Sequence, residues 1–492
     1  CFKMSGSRLL LSRCGFVVIR NVKTGCIRGF SSFPGIQSKA QKCDSTYQPV
    51  SEFYAGKSVF ITGGTGFLGK VFIEKLLYSC SKLDKIYILV RGKKGVDAND
   101  RIEVLFENPL FARLRESNPQ FIKKIVPITG DLTSPNLGLK PEDEQALIDK
   151  VSVVFHAAAT VRFTEPLPVA MRINFEGTRT ILKLCQRMKN MEAFVYVSTA
   201  YTHTEKKVLA ETVYPAPAEV EDVYKFTQRY GYDQRDDAQF LGDQPNTYTF
   251  TKALSETYIA KNHGSVPTII VRPSIVTPIL DGPVKGWLDN WYGATPFLFN
   301  IGKGWNRFIL GAGDGVVDLI PVDYVSNLTI VAAAKAGKSK DVKVFNSTSS
   351  AENPVHWSEA STYFNEESVK SGKNELPYPK VFFTNSQAVV NTGTLLCQIV
   401  PAHVADLWLK MTGREAKYVK IITQVINSRN VHGYFTSNFW VMKADRTREL
   451  FSSMSPEDRE QFPCDPTQIV WREYIKDYCK GVFQYLKPRT AA

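Results

Sequence analysis

Tyr248 and Lys252 are two side chains whose types and spacing suggest proton transfer to a carbonyl group. They stand four residues apart in the segment YTFTK, and on a helix this spacing places both side chains on one face. An ammonium group near a phenol favours the phenolate and lowers the pKa of the tyrosine. Such a tyrosine can protonate a carbonyl oxygen while hydride reaches the carbonyl carbon. The pair therefore predicts a reductase, although YxxxK by itself also occurs by chance.

Two hydroxyl side chains upstream, Ser198 and Thr199, could bind the same carbonyl oxygen. They follow AFVYV, a short apolar run that predicts a strand. A hydroxyl at the end of that strand can donate a hydrogen bond to the oxygen that accepts the proton. His156 also ends an apolar run, VSVVFH, and we interpret it as a packed strand-end residue rather than as a catalyst.

A glycine-rich turn predicts the binding site of the hydride donor. The run SVFIT is typical of a buried parallel strand, and KVFIEKLL behind it has apolar residues at helical spacing. Glycine lets the chain turn sharply and lets the backbone approach a pyrophosphate, which the helix N-terminus then binds. The strand–turn–helix context favours a dinucleotide site over an ordinary tight turn. The glycines are Gly63, Gly64, Gly66 and Gly69.

The end of the next predicted strand, KIYILVRG, indicates which dinucleotide binds. NAD sites commonly place Asp or Glu here, where the carboxylate binds the ribose 2′-hydroxyl. This chain has Arg91, followed by Lys93 and Lys94. A guanidinium can bind a 2′-phosphate through two hydrogen bonds, so the residues favour NADPH. The alternative is a solvated basic turn.

Two further predicted strands complete the cofactor site. Asp131 and Leu132 follow VPITG, at the place where doubly wound folds usually contact adenine. In VSVVFHAAATVRF, the small residues Ala157, Ala158 and Ala159 leave room for the nicotinamide ribose and pyrophosphate. Strands and helices alternate along this part of the chain. This alternation predicts an α/β fold with a Rossmann-type doubly wound parallel sheet.

Composition excludes several function classes. The chain has 492 residues, is 43% hydrophobic and 22% charged, and has a net charge of +13. Residues 1–43 contain eight Lys or Arg and no acid, so the rest carries only +5. Basic residues do not alternate with aromatic ones, which argues against nucleic-acid binding. The nine cysteines and six histidines lack metal-ligand spacing, so we predict no metal site and reduced thiols in an intracellular protein.

The first fifty residues are predicted to lie outside the fold. They are rich in Arg and Ser, lack acid before Asp44, and contain RGFSS, which resembles a mitochondrial processing site. They are interpreted as an organellar presequence or as a disordered tail. Elsewhere no run of eighteen apolar residues occurs, so no clear transmembrane helix is predicted.

Beyond these motifs, the chain resembles the extended short-chain dehydrogenases/reductases, and within them the alcohol-forming fatty acyl-CoA reductases of animals. The resemblance extends from about residue 52 to 487 and includes both an N-terminal and a C-terminal domain. The segments that carry it include TGGTGFLGK, YILVRGKKG, FHAAATVRF, VYVSTAY, YTFTKALSE, VRPSIVTP, GWLDNWYG, PAHVADLWLKMTGR and WREYIKDYCKGVFQYL.

This resemblance implies a role for each matching residue. Tyr248 would be the proton donor with Lys252 as its partner, and Thr199 would complete the triad, with Ser198 as a near alternative. Arg91 would bind the 2′-phosphate. The other implied contacts are the pyrophosphate cradle of Gly63, Thr65, Gly66, Phe67, Leu68 and Gly69, the adenine flank of Asp131 and Leu132, and the nicotinamide cover of Pro273, Ser274 and Ile275.

The resemblance also implies an activity and a domain organisation. Long-chain fatty acyl-CoA would be reduced by NADPH to the primary alcohol and free CoA in two hydride transfers, without a covalent acyl-enzyme. The NADPH-binding reductase domain would span residues 51–350, a connecting segment 351–390, and a helical C-terminal domain 391–488. The family also implies peripheral contact with the membrane of the peroxisome or the endoplasmic reticulum. The presequence-like N-terminal segment instead implies a mitochondrial location.

Two apolar stretches, PFLFNIGKGWNRFIL and TLLCQIVPAHVADLWLKM, could cover the acyl chain, and the second could touch a bilayer; otherwise both are core. The alternatives for function are a reductase that stops at the aldehyde, a steroid or sugar-nucleotide enzyme, and a non-catalytic NADP-binding scaffold. The C-terminal domain argues against the steroid and sugar enzymes, and the intact Tyr248–Lys252 pair argues against the scaffold.

Overall fold

A seven-stranded parallel sheet lies at the centre of the fold. In the computed structural model its spatial order is β7-β6-β5-β4-β1-β2-β3, and every neighbouring pair is parallel. The strands are β1 (Ser58–Thr62), β2 (Ile86–Val90), β3 (Ile125–Thr129), β4 (Val151–His156), β5 (Ala193–Val197), β6 (Thr268–Pro273) and β7 (Lys343–Ser347). The order reverses beside β1, which places a ligand crevice at the carboxyl ends of β1 and β4.

The structure describes residues 47–92, 98–232, 237, 240–337, 339, 341–376 and 380–486. Lys93, Lys94 and nearly all of the presequence-like segment lie outside these ranges. The helices up to β7 are α1 (Val50–Phe53), α2 (Phe67–Ser79), α3 (Ala98–Phe106), α4 (Ala112–Ser117), α5 (Pro141–Lys150), α6 (Leu167–Ala170), α7 (Gly177–Arg187), α8 (Val220–Tyr230), α9 (Thr247–Asn262), α10 (Thr295–Gly302) and α11 (Val322–Ala336).

Alternate residues of the strands pack on opposite faces of the sheet. In β1, Val59 and Ile61 belong to one buried cluster, with residues of α2 and α11, while Phe60 belongs to another with residues of α7. Since successive side chains of a strand point to opposite faces, helices must cover both sides. This confirms the predicted Rossmann-type doubly wound α/β fold.

The chain after residue 350 is mainly helical and pairs back onto the earlier part through short strands. Val441–Met442 pairs with Val208–Leu209, and Phe382–Thr384 pairs with Phe308–Leu310. The described residues from 48 to 486 consequently cluster as one compact unit, and the domain boundaries at 350 and 390 stay a prediction. The helices here are α12 (Trp357–Lys370), α13 (Gln387–Thr394), α14 (Val400–Met411), α15 (Tyr418–Ser437), α16 (Asp445–Ser452), α17 (Pro456–Gln461) and α18 (Trp471–Tyr485).

The boundary of the N-terminal tail needs a correction. The tail was predicted to extend to residue 50, but the compact unit begins at Gln48. Val50 opens α1, is fully buried, and donates its backbone N–H to the Asp458 carboxylate at 3.0 and 3.3 Å. Composition could not show this, because a single buried valine contributes little to the average over fifty residues.

We therefore expect a chain that begins at Gln48 to unfold at the same urea concentration as the full chain. A chain that begins at Ser51 is expected to lose about 1–3 kcal/mol of stability, because a buried valine and a hydrogen bond to a carboxylate are removed. Equal unfolding midpoints for all three chains would contradict the assignment of Val50 to the fold.

Candidate active site

The glycine turn predicted to hold a pyrophosphate is too tight for side chains. Gly63 follows β1 with φ +74°, and a Cβ there would lie 2.8 Å from the backbone nitrogen of Ala158. A Cβ on Gly69 would lie 2.1 Å from the Gly63 carbonyl oxygen. The first turn of α2 therefore lies directly on the end of β1. This arrangement fits a dinucleotide, because it leaves backbone and helix N–H groups open to phosphate.

The predicted adenosine residues line one cavity. Arg91, Asp131 and Leu132 surround it, together with the glycine turn. Ala158, which was predicted to leave room for the nicotinamide ribose and pyrophosphate, lines this cavity too. The Nε atom of Arg91 lies 3.1 Å from a carboxylate oxygen of Asp131, so the two residues at adjacent strand ends form an ion pair.

A second guanidinium in this cavity, that of Arg101, was not predicted. Arg101 lies on α3 and donates a hydrogen bond to the backbone carbonyl of Arg91. The sequence shows it only as part of an amphipathic helical insertion. Two guanidinium groups therefore border this cavity.

A second cavity, of about 480 Å³, joins the glycine turn to the predicted catalytic residues. Gly63 and Thr65 line both cavities, so the two adjoin at the turn. The sequence-predicted residues that line the second cavity are Gly63, Thr65, Gly66, Phe67, Leu68, Gly69, Ala157, Ala159, Ser198, Thr199, Tyr248, Lys252, Pro273, Ser274 and Ile275. The tertiary structure therefore brings these widely separated segments together.

Helix α9 positions Tyr248 and Lys252. Its N-terminus is capped by Asn246, whose side chain accepts the backbone N–H of Thr249 at 2.9 Å. The Nζ atom of Lys252 donates a hydrogen bond of 2.6 Å to the Val197 carbonyl oxygen and lies 4.4 Å from the ring centre of Tyr196. Both contacts belong to β5, so the lysine ties α9 to the strand that Ser198 and Thr199 directly follow.

Burial controls the protonation of this pair. It raises the pKa of Tyr248 to about 12, although the hydrogen bond with the Thr199 hydroxyl acts in the opposite direction. It lowers the pKa of Lys252 to about 7, although the negative charge of Glu256 acts to raise that pKa. The predicted lowering of the tyrosine pKa by Lys252 is therefore wrong for this structure, because burial raises that pKa and the opposing contribution comes from the Thr199 hydroxyl. The phenol stays protonated at neutral pH, as a proton donor must.

We expect Lys252 to give the protein a characteristic pH dependence of stability. Between about pH 7 and the usual lysine range the unfolded chain keeps the proton that the folded protein has lost, so stability rises with pH. Replacing Lys252 with Met removes this contribution. The quantity to compare is the melting temperature of Lys252→Met minus that of the parent, both measured without added nucleotide. This difference should be larger at pH 6 than at pH 9. A difference independent of pH would contradict this.

Hydroxyl groups near the pair have unused hydrogen-bonding capacity. The Thr199 hydroxyl bonds to Tyr248, whereas the Oγ atoms of Ser198 and Ser274 are buried without a partner. Buried polar atoms usually have a partner, so these two oxygens fit contacts with a polar ligand in the cavity. This arrangement favours Thr199 over Ser198 as the hydroxyl beside the tyrosine.

His156 is a structural residue, as predicted. It is fully buried, and its Nδ1 lies 2.6 Å from the Thr62 hydroxyl and its Nε2 lies 3.0 Å from the Thr178 hydroxyl. Since Thr178 donates its own hydrogen to the Asn174 carbonyl, Nε2 carries the ring proton. Burial lowers the pKa of His156 to about 3, so the ring is neutral.

The far wall of the catalytic cavity is aromatic and was not predicted. Phe163 follows β4, and its ring centre lies 6.3 Å from that of Tyr248 and 5.5 Å from that of Phe435. Phe435 and His432 come from α15, and Trp357 begins α12; all of them line the cavity. The C-terminal part of the chain therefore contributes directly to the site. No local sequence signal marks these residues, since they meet only in the folded chain.

The two apolar stretches proposed as acyl cover have different environments. In the first, Phe297, Leu298 and Ile301 are buried core residues, which matches the alternative interpretation. The second lies on a surface helix whose large side chains are mostly exposed. Cys80, Cys185, Cys464 and Cys479 are buried free thiols. In the described ranges no cluster of three or more metal-ligating side chains is found.

The fold and this cavity define a nicotinamide-dependent oxidoreductase of the short-chain dehydrogenase/reductase type. Family models described as "Male sterility protein" match residues 61–329, the NAD-binding part, and residues 397–487. "Fatty acyl-CoA reductase 1" of Rattus norvegicus is 38% identical over 442 residues, covering 89% of this chain and 86% of the rat protein. "Fatty acyl-CoA reductase 2" of Mus musculus is 34% identical over 452 residues, with the same coverage. The chain belongs to the fatty acyl-CoA reductase family.

Solved structures share the fold. The terminal R domain of the myxalamid biosynthetic pathway superposes with a TM-score of 0.58 at 20% identity, covering 88% of this chain and 92% of that one. The reductase domain of a nonribosomal peptide synthetase from Mycobacterium tuberculosis gives 0.56 at 16% identity, covering 87% and 91%. At these identities the likeness supports the architecture alone.

Proposed function

We propose that this protein reduces long-chain fatty acyl-CoA to the primary alcohol with NADPH, in two successive hydride transfers at one site. The observation that carries the proposal is a single cavity bordered by the glycine turn, by Tyr248 with Thr199, and by an aromatic wall. Membership in the fatty acyl-CoA reductase family supports the substrate class.

The cofactor fit rests on the two adjoining cavities. The turn from Gly63 to Gly69 would hold the pyrophosphate, and Arg91 with Arg101 would hold the 2′-phosphate. Lys252 would reach the nicotinamide ribose, and Pro273, Ser274 and Ile275 would lie along the ring. When bound there, the dinucleotide supplies hydride to a carbonyl carbon.

Side chains of the protein would then donate the proton that the carbonyl oxygen needs. Thr199 and Tyr248 would donate hydrogen bonds to the thioester oxygen, and Tyr248 would pass its proton to that oxygen as negative charge develops. The resulting hemithioacetal breaks its C–S bond and releases CoA as the thiol and the substrate carbon as an aldehyde. A second reduction, with Tyr248 again the donor, gives the alcohol. In total two NADPH and two protons are consumed per acyl-CoA.

The aromatic wall would keep the acyl chain and the reacting carbonyl out of water. Phe163 and Phe435 lie against each other beside Tyr248, and both line the cavity. Excluding water strengthens the hydrogen bonds to the developing oxyanion, because the local dielectric constant falls. An apolar wall next to the proton donor suits an aliphatic substrate better than a sugar nucleotide.

Incubation with palmitoyl-CoA and NADPH tests the proposal. Products are identified by mass, and NADPH oxidation is followed by absorbance. We expect hexadecanol, with two NADPH consumed for each molecule. Accumulation of hexadecanal with a one-to-one ratio would show an aldehyde-forming enzyme, and the absence of any product would exclude the activity.

Replacing Arg91 with Asp tests the cofactor choice. The variant loses a charge-assisted contact and gains a repulsive carboxylate, so the Kd for NADPH is expected to rise roughly 100-fold. NADH lacks the 2′-phosphate and should bind almost unchanged. Fluorescence titration measures both nucleotides, and Arg187→Asp, which changes a distant surface arginine in the same way, serves as the control. Equal binding of NADPH and NADH by the parent would contradict the assignment.

A further inference from the structure

A long surface helix presents an apolar face that the proposed reaction does not use. Residues Gln387–Met411 form one continuous helix of 25 residues through α13, a π-helical turn and α14. It is long and apolar enough to cross a membrane by length and composition, yet only 22% of its most apolar window is buried inside the protein. Its exposed large side chains are Val389, Leu395, Leu396, Val400, Val404, Leu407, Trp408 and Met411.

These side chains form a stripe because they recur every three or four residues, which places them on one face of a helix. The core of the stripe is the series Leu396, Val400, Val404 and Trp408. The fractional exposures of Leu396, Val404 and Leu407 are 60%, 62% and 60%, so the stripe is open to solvent. Single exposed apolar residues are ordinary on protein surfaces, but a contiguous row of them marks an interaction site.

The opposite face of the same helix is fixed to the protein. Thr394 accepts a hydrogen bond of 2.8 Å from the Arg429 guanidinium, and Gln398 donates one to the Trp305 carbonyl. The buried carboxylate of Asp406 accepts the backbone N–H groups of Lys417, Tyr418 and Val419 at 2.8–2.9 Å and so caps α15. Crossing a bilayer would expose these polar groups to lipid without partners. The helix is therefore suited to lie in a membrane surface and not to span it.

The charges around the stripe favour an anionic surface. Asp406 is turned inward, so the exposed residues from 387 to 411 include no acid. At the C-terminal end the exposed cations are Lys410, Arg414, Lys417 and Lys420, against one exposed acid, Glu415. An apolar face that bears a tryptophan and is bordered by lysine and arginine is the pattern of an interfacial helix.

We propose that helix Gln387–Met411 docks this protein, in the plane of the surface, onto a membrane that contains anionic lipids. The stripe would enter the interfacial region, while the cations at its end would contact headgroup phosphates. Helix α15, which α14 packs against, carries His432 and Phe435 into the catalytic cavity. The docking surface is thus connected through one helix to the site of the proposed reaction, but vesicle binding itself does not depend on that reaction.

Sedimentation with vesicles tests the proposal with the full chain. We expect the parent to bind phosphatidylcholine vesicles weakly and vesicles that also contain phosphatidylserine more strongly. The double variant Val404→Gln/Leu407→Gln should lower the partition coefficient roughly 100-fold on both, since two aliphatic side chains no longer enter lipid. Lys410→Glu/Arg414→Glu should lower binding roughly 30-fold on the anionic vesicles alone.

The matched control is Val104→Gln/Val470→Gln, which changes two equally exposed valines on other surfaces and should bind as the parent does. All variants keep the basic residues 1–43, so differences among them report on this helix. Unchanged melting temperatures establish that each variant is folded. Vesicle binding by Val404→Gln/Leu407→Gln equal to that of the parent would overturn the proposal. A second outcome would also overturn the proposal: the parent binds neither kind of vesicle and is a dimer, while Val404→Gln/Leu407→Gln is a monomer. In that case a second copy of the chain would cover the stripe.

Discussion

Replacing Tyr248 with Phe is expected to lower the rate of acyl-CoA reduction by about 10²- to 10⁴-fold, the usual contribution of a positioned general acid. The change removes one hydroxyl and little volume, so the ring can still pack against Phe163. Lys252 keeps its hydrogen bond to the Val197 carbonyl, which fixes α9 independently of the phenol. NADPH should bind nearly as before, because its phosphate contacts lie on other elements.

Single-turnover reduction of palmitoyl-CoA, with NADPH binding measured by fluorescence, distinguishes this role from a structural one. Tyr258→Phe, which removes a hydroxyl from the same helix away from the cavity, is the control and should keep the parent rate. Lys252→Ala should lower both cofactor affinity and rate, and Thr199→Val should slow turnover less than either. A Tyr248→Phe protein that binds NADPH and reduces the thioester at the parent rate would show that this tyrosine is not the acid.

Replacing Arg272 with Met is expected to destabilise the protein by about 3–5 kcal/mol, because it leaves a buried carboxylate without its partner. Arg272 is the penultimate residue of β6 and bonds to Glu256 on α9 through Nε at 2.8 Å and Nη2 at 2.6 Å. Both side chains are 1% exposed. The same guanidinium donates to the carbonyl oxygens of Ala210 and Thr212, so it also holds the loop after β5.

Urea denaturation of three variants separates the pair from the individual groups. Arg272→Met/Glu256→Met removes both charges and should recover most of the stability that Arg272→Met loses. Arg187→Met, which breaks an ion pair on the surface, should change stability by less than about 1 kcal/mol. If the double variant were no more stable than Arg272→Met, the loss would come from the loop contacts and not from the unpaired carboxylate.

Local motifs allowed most of the cofactor side of the site to be predicted. The segment TGGTGFLG specifies its own turn, because a residue with a side chain would clash with neighbouring backbone atoms at Gly63 and Gly69. Arg91 was recognisable because it directly follows an apolar strand, and Asp131 because it stands one glycine beyond another. Arg101 was missed because its position depends on how α3 folds back over the end of β2, which no short-range pattern encodes.

The substrate side could not be predicted in the same way. Phe163, His432 and Phe435 meet across a long sequence separation, so their contacts depend on the packing of α15 against the Rossmann core. The amphipathic character of Gln387–Met411 was likewise hidden. Its apolar residues were consistent with core, with acyl cover or with contact with a bilayer, and only the anchoring of Thr394, Gln398 and Asp406 determines which face remains exposed.

The sequence by itself determined the doubly wound α/β class, the glycine turn and the pairing of Tyr248 with Lys252, because each depends on the alternation of strands and helices or on neighbours within a few residues. Only the tertiary structure decided how the pair is protonated. Burial of both side chains, which is a property of the whole fold, raises the pKa of Tyr248 and lowers that of Lys252. The size of a pKa shift by desolvation depends on the protein atoms packed around the ionisable group. Around these two side chains, those atoms belong to β5, β6 and distant helices.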